Sequence, residues 1–203
     1  MKTFISQGVL PTREVELLKK DIEMYSRDKV NALITNGDVT KGGNYDPNIR
    51  ECQIHMVDYS KFPVTTQILQ SLIIENYKSI YQHLDYSSLS HFQYVHYAEG
   101  GFFKKHQDVV PAVDVTRVLT MSINMSDSED YDGGDLLIYD GDSVVGRCER
   151  EKGSFVIFPA FMQHEATLVT HGSREAIVTW LNNKHNVLNT FKAHVMDHSH
   201  KES

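Results

Sequence analysis

Apolar residues recur with two different periods along this chain. Between residues 11 and 28, Val15, Leu18, Ile22 and Tyr25 fall at helical spacing, charges fill the opposite face, and Pro11 with Thr12 suits a helix start. Residues 31–60 show no sustained period, and Asn36-Gly37 and Gly42-Gly43 mark turns. A second apolar stripe, Ile68, Leu72, Ile73, Tyr77, Ile80, Tyr81 and Leu84, predicts a helix over 63–84. From Leu89 to Leu181 the pattern shortens to strand length. Strands are predicted at 91–97, 115–125, 135–139, 143–147, 154–158, 166–170 and 174–181, with hairpin turns at Gly133-Gly134 and Gly141-Asp142. Two helices followed by many short strands predict a mainly β protein with flanking helices, its core a double-sheet barrel of the jelly-roll type. We read the chain as one domain over 1–203. Residues 1–88 form helical support and a substrate loop, 89–185 the jelly-roll core, and 186–203 a polar tail.

Composition narrows the possible functions. An apolar content of 40% in 203 residues can build one core. The formal charge of −7, with no long basic run, lacks the electrostatic footprint of a general nucleic-acid binder. No apolar run reaches the roughly 18 residues of a membrane span, and the N-terminal apolar stretch is too short for a secretory signal. The two cysteines, Cys52 and Cys148, have no CxxC spacing and are read as reduced. Together these points give a cytoplasmic expectation. The histidines of the tail, among them His185, His194, His198 and His200, are read as a flexible segment rather than a metal site.

The candidate chemistry lies in His106-Gln107-Asp108 and the later His164. Side chains at i and i+2 of an extended chain point the same way, so a His and an Asp at that spacing can share a metal ion. A second His from a distant strand completes one face. Two imidazoles and a carboxylate leave the other coordination positions open, as in the facial triad of non-haem Fe(II) oxygenases. An isolated His-x-Asp means little in a chain with 11 histidines. Its context adds weight. Arg174 follows His164 by ten residues, past a turn at His171-Gly172, and shares its strand face with Ala176, Val178 and Trp180. A guanidinium there could grip the free end of a dicarboxylate bidentately. Tyr97 precedes a bend at Gly100-Gly101 and could donate a hydrogen bond to the same molecule or fill the core. Val118, Thr120, Ser122 and Asn124 alternate with Leu119, Met121 and Ile123. That polar face either lines a wet pocket or meets solvent, the commoner case.

In sequence, Tyr97, Gly100-Gly101, His106-Gln107-Asp108, Arg117 with Thr120, Tyr131-Asp132-Gly133-Gly134-Asp135-Leu136, Gly153-Ser154-Phe155-Val156-Ile157-Phe158-Pro159, His164-Glu165-Ala166, Gly172-Ser173-Arg174 and Trp180 resemble the prolyl 4-hydroxylase branch of the 2-oxoglutarate/Fe(II) dioxygenases. The resemblance covers residues 92–181. It implies a double-stranded β-helix core, Fe(II) at His106, Asp108 and His164, and 2-oxoglutarate anchored by Arg174 and touched by Tyr97, with Thr120 beside them. O2 is the further co-substrate and L-ascorbate a common requirement of the branch. Arg50, in Arg50-Glu51-Cys52, and Trp180 are the candidate substrate contacts. Arg174 stands where the collagen-type enzymes carry Lys, Asn124 where an aromatic often precedes Leu-Asn, and only eight residues separate Asp108 from Arg117. The implied reaction is hydroxylation of a prolyl residue in a peptide or protein. The alternatives are an oxygenase for a small molecule such as a free amino acid, or a non-catalytic jelly-roll binding module. The oligomeric state is left open.

Overall fold

The computed structural model describes residues 5–25, 30–31, 45–57, 62–80, 86–89, 92–109 and 117–183. Its elements run β1 (Ser6–Val9), α1 (Thr12–Tyr25), β2 (Val30–Asn31), β3 (Arg50–Glu51), β4 (Gln53–Val57), α2 (Pro63–Ile80), β5 (Tyr86–Leu89), β6 (Phe92–Tyr97) and β7 (Phe102–His106). They continue with β8 (Arg117–Asn124), β9 (Tyr131–Gly133), β10 (Leu136–Asp140), β11 (Ser143–Arg147), β12 (Ser154–Pro159), β13 (Gln163–Ala166), β14 (Val169–Gly172) and β15 (Arg174–Asn183). The larger sheet has the order β1-β12-β8-β15-β6-β4-β2, with β5 also paired to β15; the smaller is β11-β10-β13-β7-β3; β14 and β9 form a ribbon. All of these pairings are antiparallel. Two such sheets facing each other form the expected jelly-roll.

Strand alternation divides the larger sheet into a dry face and a cavity face. Leu119, Met121 and Ile123 of β8 and Ile177 and Leu181 of β15 join one buried cluster with Val15, Leu18 and Ile22 of α1 and Leu69 and Ile73 of α2. Each fully buried aliphatic side chain there contributes roughly 1.5–3 kcal/mol, which is what fixes the two helices on the sheet. The opposite face carries Thr120 and Ser122 of β8 and Arg174, Ala176, Val178 and Trp180 of β15. These residues line a cavity of about 320 Å³ between the sheets. The polar face of β8 therefore meets a buried pocket and not solvent.

Several expected boundaries move. The predicted strand 166–170 is two strands, β13 and β14, which belong to different sheets and break at Thr167 and Leu168. Gly133-Gly134 is not a hairpin turn. β9 pairs with β14 and β10 with β13, so the two glycines carry the chain from the ribbon into the smaller sheet. His171-Gly172 likewise ends β14 without pairing it to β15. Residues 50–57, read as irregular, form β3 and β4, and β1, β7 and β9 were not predicted as strands. The Gly141-Asp142 turn does join β10 to β11. The ends of both predicted helices, 26–28 and 81–84, and the tail histidines lie outside the described residues.

Candidate active site

His106 ends β7 and pairs directly with His164 of β13, so the sheet register alone brings the two imidazoles side by side. Asp108 follows on the same chain. Its backbone N–H donates to the Ala160 carbonyl at 3.0 Å, which ties it to the connection between β12 and β13. One candidate ligand atom from each of His106, Asp108 and His164 lies within 4.8 Å of the other two. The Nε2 atoms face the carboxylate, His106 at 3.7 Å from Oδ1 and His164 at 3.5 Å from Oδ2.

The other ring nitrogens define the tautomer. Nδ1 of His106 lies 2.7 Å from the Lys104 carbonyl, and Nδ1 of His164 lies 3.1 Å from the Met162 carbonyl. A carbonyl only accepts, so each Nδ1 must donate and each Nε2 keeps its lone pair for a metal. Burial and the neighbouring His164 hold His106 well below the usual histidine range. It is therefore neutral at pH 7, as a ligand must be. Aromatic rings fix both imidazoles. Phe103 stacks on His106 with centroids 3.5 Å apart, and Phe158 meets His164 edge-on at 4.8 Å.

Asp108 is held from the larger sheet. Thr120 and Trp180 are opposite each other in the β8–β15 register. The Thr120 hydroxyl donates to Asp108 Oδ2 at 2.6 Å and the Trp180 indole N–H to the same oxygen at 2.9 Å. Burial alone would raise this carboxyl. The nearby His164 and His106 and the two hydrogen bonds outweigh it and leave the carboxyl below its ordinary value. Arg117 lies over the Trp180 ring at 4.0 Å and donates to the Asp108 carbonyl at 3.4 Å.

Arg174 is 3% exposed and lines the cavity. It pairs in register with Tyr97, and its guanidinium lies 5.8 Å from the Tyr97 ring. Among the described residues no carboxylate pairs with it. Burial pushes the Tyr97 phenol above its ordinary value, so it stays a donor. Arg50 is 7% exposed and lines the same cavity from β3. The structure thus brings all eight of the residues singled out from the sequence to one cavity: His106, Asp108, His164, Arg174, Tyr97, Thr120, Arg50 and Trp180. Sequence reasoning missed Phe103 and Gln93 and named Phe158 only within a motif, whereas Ser122 was read with Thr120 on a face that could line a pocket.

The donor set fits the groups the resemblance implies. Two imidazole nitrogens and one carboxylate suit Fe(II), and a buried guanidinium that meets no carboxylate among the described residues suits the far end of a dicarboxylate.

Comparison with known proteins agrees. Residues 92–182 match the family model of the 2OG-Fe(II) oxygenase superfamily. A PKHD-type hydroxylase of Caulobacter vibrioides is 32% identical over 93 residues, which is 42% of this chain and 40% of that protein. One from Pseudomonas putida is 36% identical over 90 residues, 41% of this chain and 39% of that protein. The chain thus spans about two fifths of the length of these curated relatives. Among solved structures, a Pseudomonas putida prolyl-4-hydroxylase superposes with a TM-score of 0.71 at 19% identity, covering 91% of this chain and 95% of that one. A Trichoplax adhaerens prolyl hydroxylase in complex with a hypoxia inducible factor peptide fragment gives 0.72 at 16% identity, covering 90% and 85%. At these identities the superpositions establish the fold.

Proposed function

We propose, for a chain whose residues 92–182 belong to the 2OG-Fe(II) oxygenase superfamily, that it is a 2-oxoglutarate- and Fe(II)-dependent hydroxylase acting on prolyl residues of a peptide or protein. The observation that carries this reading is the His106–Asp108–His164 group beside a buried arginine that has no carboxylate partner among the described residues. When bound, iron and 2-oxoglutarate would supply the oxidation, in which O2 gives one atom to the succinate formed with CO2 and the other to a C–H bond of the substrate.

The chain's own residues do the rest. His106 and His164 offer Nε2 lone pairs held in place by their Nδ1 hydrogen bonds to backbone carbonyls. Asp108 supplies the one negative ligand, and Thr120 and Trp180 fix its rotation. Arg174 takes the distal carboxylate of the co-substrate, and Tyr97 donates a hydrogen bond to it. Phe103 and Phe158 shield the imidazoles from water. L-ascorbate belongs to this reading as the reductant that keeps iron ferrous. A cytoplasmic location is supported by the two cysteines, both free and buried. Among the described residues no helix is long and apolar enough to cross a membrane.

The test is to incubate the protein with Fe(II), 2-oxoglutarate, ascorbate and proline-containing peptides, following succinate and peptide mass together. One added oxygen on a prolyl ring, in step with succinate and absent in His106→Ala, is the expected result. Succinate without peptide oxidation would move the substrate to a small molecule. No turnover and no 2-oxoglutarate binding would leave a binding module.

A further inference from the structure

The cavity holds a second buried cation, and its surroundings differ from those of the Arg150–Asp135 pair. Arg50 lies at the corner where the chain leaves the smaller sheet at Glu51 and enters the larger at Gln53. Its Nε donates to the Cys52 sulfur at 3.1 Å and an Nη to the Gln93 side-chain carbonyl at 3.3 Å. Its plane lies 4.5 Å over Phe103, the ring whose other neighbour is His106. Every one of these contacts is neutral. Burial pushes the Cys52 thiol up, so it supplies no thiolate, and the Tyr97 phenol beside it is likewise protonated. By contrast, the half-buried Arg150 has Asp135 at 3.9 Å and donates to the carbonyls of Gly133 and Tyr131.

A desolvated guanidinium held only by neutral groups is unfavourable unless an anion joins it. Among the described residues the one carboxylate of the cavity lining is Asp108, a candidate metal ligand. The co-substrate's distal carboxylate is matched by Arg174, on a different strand in the centre of the larger sheet. Arg50 enters from the edge strand of the smaller sheet, one aromatic ring away from His106. Its fork is therefore one ring away from His106, and Tyr97, which feels both guanidiniums, stands between it and the Arg174 anchor.

We propose that Arg50 is a second anion site of this cavity and binds a carboxylate of the substrate. The preferred substrate is thus an acidic one, a prolyl unit with either a free α-carboxylate or an acidic neighbouring residue. Cys52 and Gln93 aim the fork, and Phe103 sets its plane against the metal face. This inference rests on the oxygenase reading above and narrows its substrate.

The test uses the full chain loaded with Zn(II), a diamagnetic stand-in for iron, and follows arginine Nε–Hε resonances assigned with Arg50→Lys and Arg174→Lys. 2-Oxoglutarate is expected to shift the Arg174 signal and leave that of Arg50. Acetate added afterwards should shift the Arg50 signal saturably. N-acetyl-proline and a capped Glu-Pro dipeptide distinguish the two sources of carboxylate, each compared with its amide. One of the acids should move Arg50 at least about thirtyfold more tightly than its amide, the lower end for losing one partner of a buried charge pair. In Arg50→Gln, where binding is read from the Trp180 indole N–H signal of the same cavity, the preference for acid over amide should vanish while 2-oxoglutarate still shifts Arg174. An Arg50 signal saturated by 2-oxoglutarate alone would make it a second clamp on the co-substrate and overturn the proposal. So would acids and amides that act alike. Failure of 2-oxoglutarate to shift Arg174 would count against the oxygenase reading itself.

Discussion

Two donors converge on a single oxygen of Asp108, and that convergence is the most informative detail of the site at the residue scale. With Thr120 and Trp180 both on Oδ2, rotation of the carboxylate is blocked from the larger sheet. Thr120→Val or Trp180→Phe removes a donor while keeping the shape. Each should weaken Mn(II) or Fe(II) affinity about 10- to 100-fold, the usual effect of losing such a supporting contact. Metal titration checks this, and an unchanged affinity would mean the contacts are incidental. His106 gives a second expectation. Burial and its neighbour His164 hold it below the ordinary 6.5, so the unfolded chain binds this proton at a higher pH than the folded one does. Its contribution is complete above pH 6.5 and is lost as the pH falls through the window down to its folded value. The metal-free protein should therefore melt at progressively lower temperature below about pH 6.5, and His106→Ala should flatten that slope. The ligands themselves were legible because residue type and i, i+2 spacing carry the chemistry. The Nδ1 partners were not, because they are backbone carbonyls with no sequence signature.

At the scale of elements, parity along strands was the readable signal. β15 shows it best. Arg174, Ala176, Val178 and Trp180 share the cavity face, as their spacing predicted. The connections at Gly133-Gly134 and His171-Gly172 were misread because glycine marks a change of direction without saying which strand comes next. Gly134 is such a place. It has φ 63°, and a Cβ there would lie 2.9 Å from Val169 Cγ2 and 3.2 Å from Arg174 Cδ. Gly134→Ala should therefore displace the Arg174 stem and weaken 2-oxoglutarate binding more than metal binding, as paired titrations would show. Gly133→Ala is harsher. Its Cβ would stand 2.0 Å from the Leu168 carbonyl oxygen, at φ 69°. A loss of more than about 2 kcal/mol of stability is expected from strain at such a position, measured by denaturant unfolding.

For the whole molecule, support and chemistry lie on opposite faces of one sheet. The helices pack on the side away from the cavity: Val15, Leu18, Ile22 and Ile73 of the predicted stripes are core, Ile68 and Leu72 are partly buried, and Leu69, outside the predicted stripe, joins them. Leu69 is fully buried in that layer. Leu69→Ala should cost about 2–5 kcal/mol in stability and leave 2-oxoglutarate affinity unchanged in the folded protein. β3 and β4 were illegible because two to five residues carry too little alternation to stand out, yet β3 brings Arg50 to the site. The most direct test of the central claim is anaerobic titration of the Fe(II)-loaded protein with 2-oxoglutarate, followed by the visible metal-to-ligand charge-transfer absorption. The account predicts a saturable band at one equivalent in the wild type, its loss in His106→Ala and Asp108→Ala, and a much weaker 2-oxoglutarate affinity in Arg174→Ala. A wild-type protein that binds iron without developing the band, or an Arg174→Ala protein that titrates like wild type, would contradict it.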